Sequence, residues 1–280
     1  GLIVFPLSKI QEQKIHIMEV EVKSIENKDK VSNSACGCGS GGCGCHSGSH
    51  GHSEVNPNLP SRFQLLQEGD RVVEFGSGHG SDCILAASVV GPTGKVVGID
   101  LSEENISTAR AMVDSMKVHN VEFRQGNIEN VPLPDEYANV IYATCVFNLQ
   151  DNKQKVADEM YRVVDHNGYV CVSDFVIIND IPDGLRKEAS AIAGCIAGAE
   201  KAEVFMSYFQ KTGFTQGGIV EVNKVELPND LLEKYLDADM IKKYNDINSD
   251  DGIFSVVLVV EKPETCNAET CCKNVDKHKN

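Results

Sequence analysis

From Asp70 onward, short apolar runs alternate along the chain with stretches in which apolar residues recur at helical spacing. Arg71-Val72-Val73-Glu74-Phe75 and Lys95-Val96-Val97-Gly98-Ile99 are compact and rich in valine, the pattern of strands buried on both faces. Between them Asp82 to Val90 reads as a helix. After them Ser102 stands as the N-cap of a second helix, whose first turn carries Glu103 and Glu104, where carboxylates meet the positive end of the helix dipole. The alternation continues with strands over Val121 to Arg124, Asn139 to Ala143 and Gly168 to Asp174, and a helix over Asn152 to Val164 joins the last two. Repeated βα units predict an α/β fold, a mostly parallel sheet with helices on both faces. Two later apolar runs, Gly218 to Val225 and Gly252 to Glu261, are expected to pair antiparallel at one edge.

The two ends of the chain have a different texture. Residues 31 to 58 are almost wholly Gly, Ser, Cys, His, Asn and Glu, a composition that cannot bury enough apolar surface to fold alone. Thr265 to Asn280 is polar, holds Cys266, Cys271 and Cys272, and reads as a disordered tail. The expected organisation is a flexible segment over 1–60, Cys/Gly/His-rich at 31–58, a catalytic domain over 61–180, a small substrate region with the edge strands over 181–263, and the tail over 264–280.

Charge and length narrow the partners. Lys and Arg number 26 against 41 Asp and Glu, a net charge of −15, and no basic stripe is present to neutralise a phosphate backbone. Nucleic acid is not an expected partner. No apolar run approaches the roughly 20 residues needed to cross a bilayer, so no membrane is expected either. Gly1 to Pro6 are apolar but lack a basic region and a cleavage site, so no secretory signal is indicated; Met18 is an alternative start, which leaves the native status of the first 17 residues open. Eleven cysteines without an export signal read as reduced thiols in the cytoplasm, available for metal, metalloid or catalysis.

The chemistry begins at Glu74-Phe75-Gly76-Ser77-Gly78-His79-Gly80, where glycines at every second position directly after a strand let the chain turn sharply and a ligand lie on bare backbone. An ordinary strand-to-helix turn can carry the same glycines. Asp100 weighs against that reading: it ends the next strand, where a carboxylate can accept hydrogen bonds from ribose hydroxyls. The G-x-G-x-G spacing lacks the extra residue of the G-x-G-x-x-G turn that seats a dinucleotide pyrophosphate, which disfavours a nicotinamide oxidoreductase.

With Gly126-Asn127-Ile128 following, Arg71 to Asp174 resembles the class I S-adenosylmethionine methyltransferases, which have a Rossmann-like fold. The resemblance implies S-adenosylmethionine as cofactor. It also implies a binding set of Glu74, Gly76, Ser77, Gly78, Gly80, Asp100, Leu101, Asn127, Ile128 and Thr144, with Asp100 on ribose and Asn127 and Ile128 flanking adenine. His79 would only border the cofactor.

A methyl donor leaves the acceptor open. Cys145 sits just past the carboxyl end of a strand, where open parallel sheets bind ligands, although a free cysteine also serves as a small core residue. Cys195 lies in the small-residue run Ala193-Gly194-Cys195-Ile196-Ala197-Gly198-Ala199, where ligand or backbone can approach closely, or helices can pack tightly. Thr144-Cys145-Val146-Phe147-Asn148-Leu149 and Gly194-Cys195-Ile196-Ala197-Gly198-Ala199 resemble the arsenite methyltransferases, a likeness extending over Arg71 to Lys262 with Asp82-Cys83, Gly91-Pro92-Thr93-Gly94-Lys95, Arg162-Val163-Val164, Gly213-Phe214 and the doubled Cys271-Cys272. That family holds trivalent arsenic on the cysteines equivalent to Cys145 and Cys195. The implied reaction methylates arsenite or methylarsenite presented as a thiol conjugate, with a thiol reductant such as glutathione or thioredoxin. Soft arsenic suits thiolate ligands and its lone pair can attack a sulfonium methyl in line, a step that requires no general base; the sequence accordingly shows no Ser/His/Asp constellation.

The family's third cysteine comes from a structured loop that this sequence lacks. In its place stand Cys36-Gly37-Cys38 and Cys43-Gly44-Cys45 with His46, His50 and His52. This segment could supply a third thiolate, with Cys38 as the catalytic candidate, could bind zinc or copper independently, or could be a linker. Cys171 alternates with Val170 and Val172 and reads as core; Cys83 near a helix start is either structural or lowered in pKa by the helix dipole. A class I methyltransferase for a small organic acceptor, and a protein that sequesters soft metals or metalloids, remain the alternatives.

Overall fold

The computed structural model describes residues 59–214 and 216–263. In chain order the elements are β1 (Arg71–Phe75), α1 (Ser81–Val90), β2 (Lys95–Asp100), α2 (Glu103–Met116), β3 (Val121–Gln125), β4 (Ala138–Thr144), α3 (Lys153–Val163), β5 (Val164–Ile177), α4 (Asp183–Ala189), β6 (Glu200–Lys201), α5 (Ala202–Thr212), β7 (Gln216–Lys224), α6 (Asn229–Leu232), α7 (Ala238–Asn245) and β8 (Ile253–Glu261). Ser102 caps α2 as its position predicts, its side chain accepting from the Asn105 amide at 3.2 Å. Among the described residues no helix is long and apolar enough to cross a membrane.

The strands form a single sheet in the order β3-β2-β1-β4-β5-β8-β7, with β6 pairing β5 off this path. β1, β2, β3, β4 and β5 are mutually parallel where they pair, and β8 runs antiparallel to both β5 and β7. The antiparallel edge expected from the two late apolar runs is therefore part of the main sheet. The winding direction reverses between β1 and β4, and an open parallel sheet has its crevice at such a point, outside the carboxyl ends of the strands.

Alternation along each strand feeds two core layers. Val73, Phe75, Val97, Ile99, Ile141 and Ala143 face α3 and α5, meeting Met160, Val163, Phe205 and Phe209. Val72, Val96, Val140 and Tyr142 face α1 and α2, meeting Cys83, Ala86, Ile106 and Ala109. Burying each large apolar side chain in these layers contributes about 1.5–3 kcal/mol. A third, smaller cluster gathers Ile177, Leu185, Ile196, Leu227, Leu232, Tyr244 and Ile253 beyond the carboxyl end of β5.

One strand differs from its expected span in a way that shapes the site. β5 runs from Val164 to Ile177 rather than from Gly168 to Asp174. Its parallel partner β4 ends where Thr144 pairs Ser173, whereas β8 stays paired with β5 as far as Ile177. The antiparallel ladder carries β5 past its neighbour, so Asp174 borders the gap that β4 leaves.

Candidate active site

At the carboxyl end of β1 the backbone N–H groups of Gly76 and Ser77 donate to the Ile99 carbonyl at 2.8 and 2.9 Å, laying the glycine turn across the end of β2. Gly78 N then donates to one Asp100 oxygen at 2.8 Å, while the other accepts from Ser102 N at 2.9 Å and Asn105 Nδ2 at 3.1 Å. The carboxylate thus fixes the turn, and with about four lone-pair sites it retains capacity for another donor. Gly78 has φ +50°, and a Cβ there would meet nothing within 4 Å, so its bare backbone faces open space. Gly80 serves packing instead, because a Cβ there would strike the Phe123 ring. Ser77 Oγ and Thr144 Oγ1 line the ends of β1 and β4, buried and without a hydrogen-bond partner among the described residues.

Beside this turn the residue that follows β4 is Cys145, a non-glycine residue at φ 52°. Left-handed backbone at such a residue costs roughly 1–2 kcal/mol and persists only where the surroundings enforce it. Here the Cys145 amide donates to the Ser173 carbonyl at 2.8 Å, and Phe147, two residues on, stacks on Phe209 at 5.2 Å and meets Phe205 edge-on at 5.4 Å. Asn148 in the following turn donates its amide to Asp174 at 3.0 Å and its side-chain N–H to the Phe175 carbonyl at 2.7 Å.

The short helical turn Gly194–Gly198 lies against that turn. The small-residue run has a specific cause at Gly198: a Cβ there would overlap the Asn148 carbonyl oxygen and stand 2.9 Å from its carbon. Ile196 anchors the same turn in the third cluster. The two turns bring the Cys145 and Cys195 sulfurs and an Asp174 oxygen all within 4.8 Å of one another. Asp174 and Cys195 are buried, at 1% and 2% exposure, while Cys145 is half-buried and forms the open side.

The three groups perturb one another. The Cys195 thiol bonding to the Cys145 sulfur pulls Cys145 below its ordinary pKa, against the effect of burial. That bond, burial and the Asp174 charge push Cys195 up. Burial raises Asp174 to about 6, opposed by the backbone N–H donors of Asn148 and Phe175. Cys145 is accordingly the thiol that ionises first. Asp174 was not singled out by the sequence reading, although it closes the apolar run from Gly168 and shares the strand-end address of Cys145.

Other expected residues fall in varied places. Glu74 faces the α1 layer because of strand alternation; its carboxyl accepts from Cys83 Sγ at 2.9 Å and Tyr142 OH at 3.1 Å, and burial pushes it up to about 8. Cys83 is buried, and burial together with Glu74 raises its thiol, which overturns a helix-lowered pKa there. Cys171 is in the core, its thiol pushed up to about 12 by burial. Leu101, His79 and Asn127 are exposed, whereas Ile128 belongs to the core layer of α3 and α5. Cys36, Cys38, Cys43, Cys45, Cys266, Cys271 and Cys272 lie outside the described residues.

The family described as a methyltransferase domain matches residues 66–213. An arsenite methyltransferase of Halobacterium salinarum is 41% identical over 155 residues, covering 55% of this chain and 40% of that protein. An arsenite methyltransferase of Aquipseudomonas alcaligenes is 32% identical over 201 residues, covering 66% of this chain and 58% of that protein. The chain therefore spans about half the length of these curated relatives. An arsenic(III) S-adenosylmethionine methyltransferase from Chlamydomonas reinhardtii superposes with a TM-score of 0.59 at 24% identity, over 74% of this chain and 72% of that one, a likeness of fold.

Proposed function

The chain belongs to the methyltransferase-domain family, and on that premise we propose that it transfers the methyl group of S-adenosylmethionine to trivalent arsenic held by Cys145 and Cys195. The observation that carries this reading is the convergence of two cysteine sulfurs just past the carboxyl end of β4, the strand that flanks β1 and its glycine turn at the sheet's switch point.

The residues present fit the cofactor. Asp100 offers a ribose acceptor, Gly78 a bare backbone face, and Ser77 Oγ and Thr144 Oγ1 are buried polar atoms in need of partners. When bound, S-adenosylmethionine supplies a methyl group already activated on a sulfonium sulfur. The chain's part is to bind, orient and exclude water. Cys145 and Cys195 hold the metalloid with its lone pair free, and fixing two reactants in a near-attack geometry can supply about 7–11 kcal/mol. No general base is needed for methyl transfer itself. Cys145, the more easily ionised of the two thiols, exchanges first with an incoming thiol-bound arsenical, and Cys195 follows, with Asp174 placed to take its proton.

A third sulfur comes from the Cys36, Cys38, Cys43 and Cys45 segment or from a solution thiol. Arsenite or a methylated arsenical as a thiol conjugate is the substrate, and glutathione or thioredoxin returns arsenic to the trivalent state after its lone pair has formed the new bond. The cytoplasm, where thiols stay reduced, suits this chemistry. The test is incubation of the protein with arsenite, glutathione and labelled S-adenosylmethionine. Methylated arsenic from the wild type, none from Cys145→Ser or Cys195→Ser, and unchanged cofactor binding in both variants are expected. Label appearing in an organic acceptor, or stoichiometric arsenic binding without product, would overturn the reading.

A further inference from the structure

We propose that Cys145, Asp174 and Cys195 also form a site for a divalent cation of the zinc class, and that such an ion excludes the arsenical. The donor set is two sulfurs and one carboxylate oxygen, all among the groups that zinc accepts, and a tetrahedral site with three protein ligands keeps its fourth position open. Zinc–sulfur bonds of about 2.3 Å at the tetrahedral angle require the sulfurs to stand about 3.8 Å apart. The three donor atoms lie within 4.8 Å of one another. Cys145, half-buried, forms the open side through which an ion would enter.

Asp174 is what separates this site from a simple pair of thiols. Its two oxygens are oriented by the amides of Asn148 at 3.0 Å and Phe175 at 2.9 Å, so the carboxylate is already fixed as a ligand is by its outer hydrogen bonds. It places a carboxylate oxygen within 4.8 Å of both sulfurs. Trivalent arsenic, being soft, takes sulfur and makes little use of a carboxylate; zinc, a borderline ion, uses both. The same pocket therefore discriminates through Asp174, which ligates the divalent ion but not the arsenic. The exclusion half of the proposal rests on the reading that these sulfurs hold the arsenical; the binding half does not.

The test uses the full chain with Cys36, Cys38, Cys43, Cys45, Cys266, Cys271 and Cys272 replaced by Ser, so that the only thiols left outside the pocket are the buried Cys83 and Cys171. Cadmium chloride serves as the spectroscopic stand-in for zinc, followed through its thiolate charge-transfer absorbance with neither arsenical nor methyl donor present. One equivalent is expected to bind, Asp174→Asn to weaken binding at least tenfold, and Cys145→Ser to abolish it. X-ray absorption of the zinc-loaded parent is expected to give two sulfurs with oxygen completing the shell, a result that needs no variant and holds even if Asp174→Asn fails to fold. Equal cadmium affinity in a folded Asp174→Asn, or a zinc shell without two sulfurs, would overturn the site. Methylarsenite is expected to displace the bound cadmium. Cadmium and methylarsenite bound together, neither weakening the other, would overturn the exclusion and the arsenical reading, whereas arsenite methylation without cadmium binding would overturn this inference alone.

Discussion

Replacing Gly198 by Ala tests the claim that contact between two turns sets the thiol geometry. The new methyl group would overlap the Asn148 carbonyl oxygen and stand 2.9 Å from its carbon, and both obstacles are main chain, so no side chain can swing aside. Asn148 cannot retreat cheaply, since its amide is bonded to Asp174 at 3.0 Å and its side chain to the Phe175 carbonyl at 2.7 Å. The Gly194–Gly198 turn must move instead, carrying Cys195 with it. Relieving the overlap takes a shift of about 1 Å, and a misplacement of that size costs about a hundredfold in rate. Gly194→Ala is the control on the same turn, because a Cβ there meets nothing within 4 Å. The assay is single-turnover methylation of arsenite beside calorimetric titration with S-adenosylmethionine. We expect a fall of about a hundredfold in methylation for Gly198→Ala, with cofactor affinity within about twofold of wild type, and near-normal values for Gly194→Ala. Undiminished methylation by Gly198→Ala would refute the role given to that contact, and equal losses in both variants would show that the turn tolerates no side chain for some other reason.

Two further outcomes follow from the titratable groups. Burial raises the Glu74 carboxyl from 4.5 to about 8. Between those values the folded protein holds a proton that the unfolded chain releases, so Glu74 makes stability fall with rising pH, by about 1.4 kcal/mol per unit, levelling above pH 8. Glu74→Gln should lack that slope, and urea unfolding of both proteins at several pH values from 5 to 9 isolates it as a difference; parallel profiles would remove the buried neutral carboxyl. Asp100→Ala removes a ribose acceptor and frees the Gly78 amide, so calorimetry should find cofactor affinity weaker by about 1.5–3 kcal/mol. Unchanged affinity in a folded variant would count against the cofactor site.

The order of strands and helices from β1 through β5 was legible because hydrophobic periodicity is local: a valine-rich run between glycines has few options, and Ser102 before two glutamates announces a helix start; the helices between β5 and β8 were not read. The glycine turn and Asp100 were legible for the same reason, since turn chemistry and strand ends are set by neighbours in sequence. Cys145 could be placed at a strand end from its own surroundings. Its partner could not be found that way, and the reading of Cys195 as an arsenic ligand depended on resemblance to a family.

Tertiary structure decided the rest. Where β5 ends depends on β8, some eighty residues later in the chain, and that ladder puts Asp174 beside the two thiols. The purpose of Gly198 is visible only in its approach to Asn148, and the burial of Glu74 only once the strand's two faces have been assigned to layers. Local sequence determines which residues can turn, extend or cap; which side chains share a pocket and hold each other's protons depends on long-range pairing, and no neighbour along the chain encodes it.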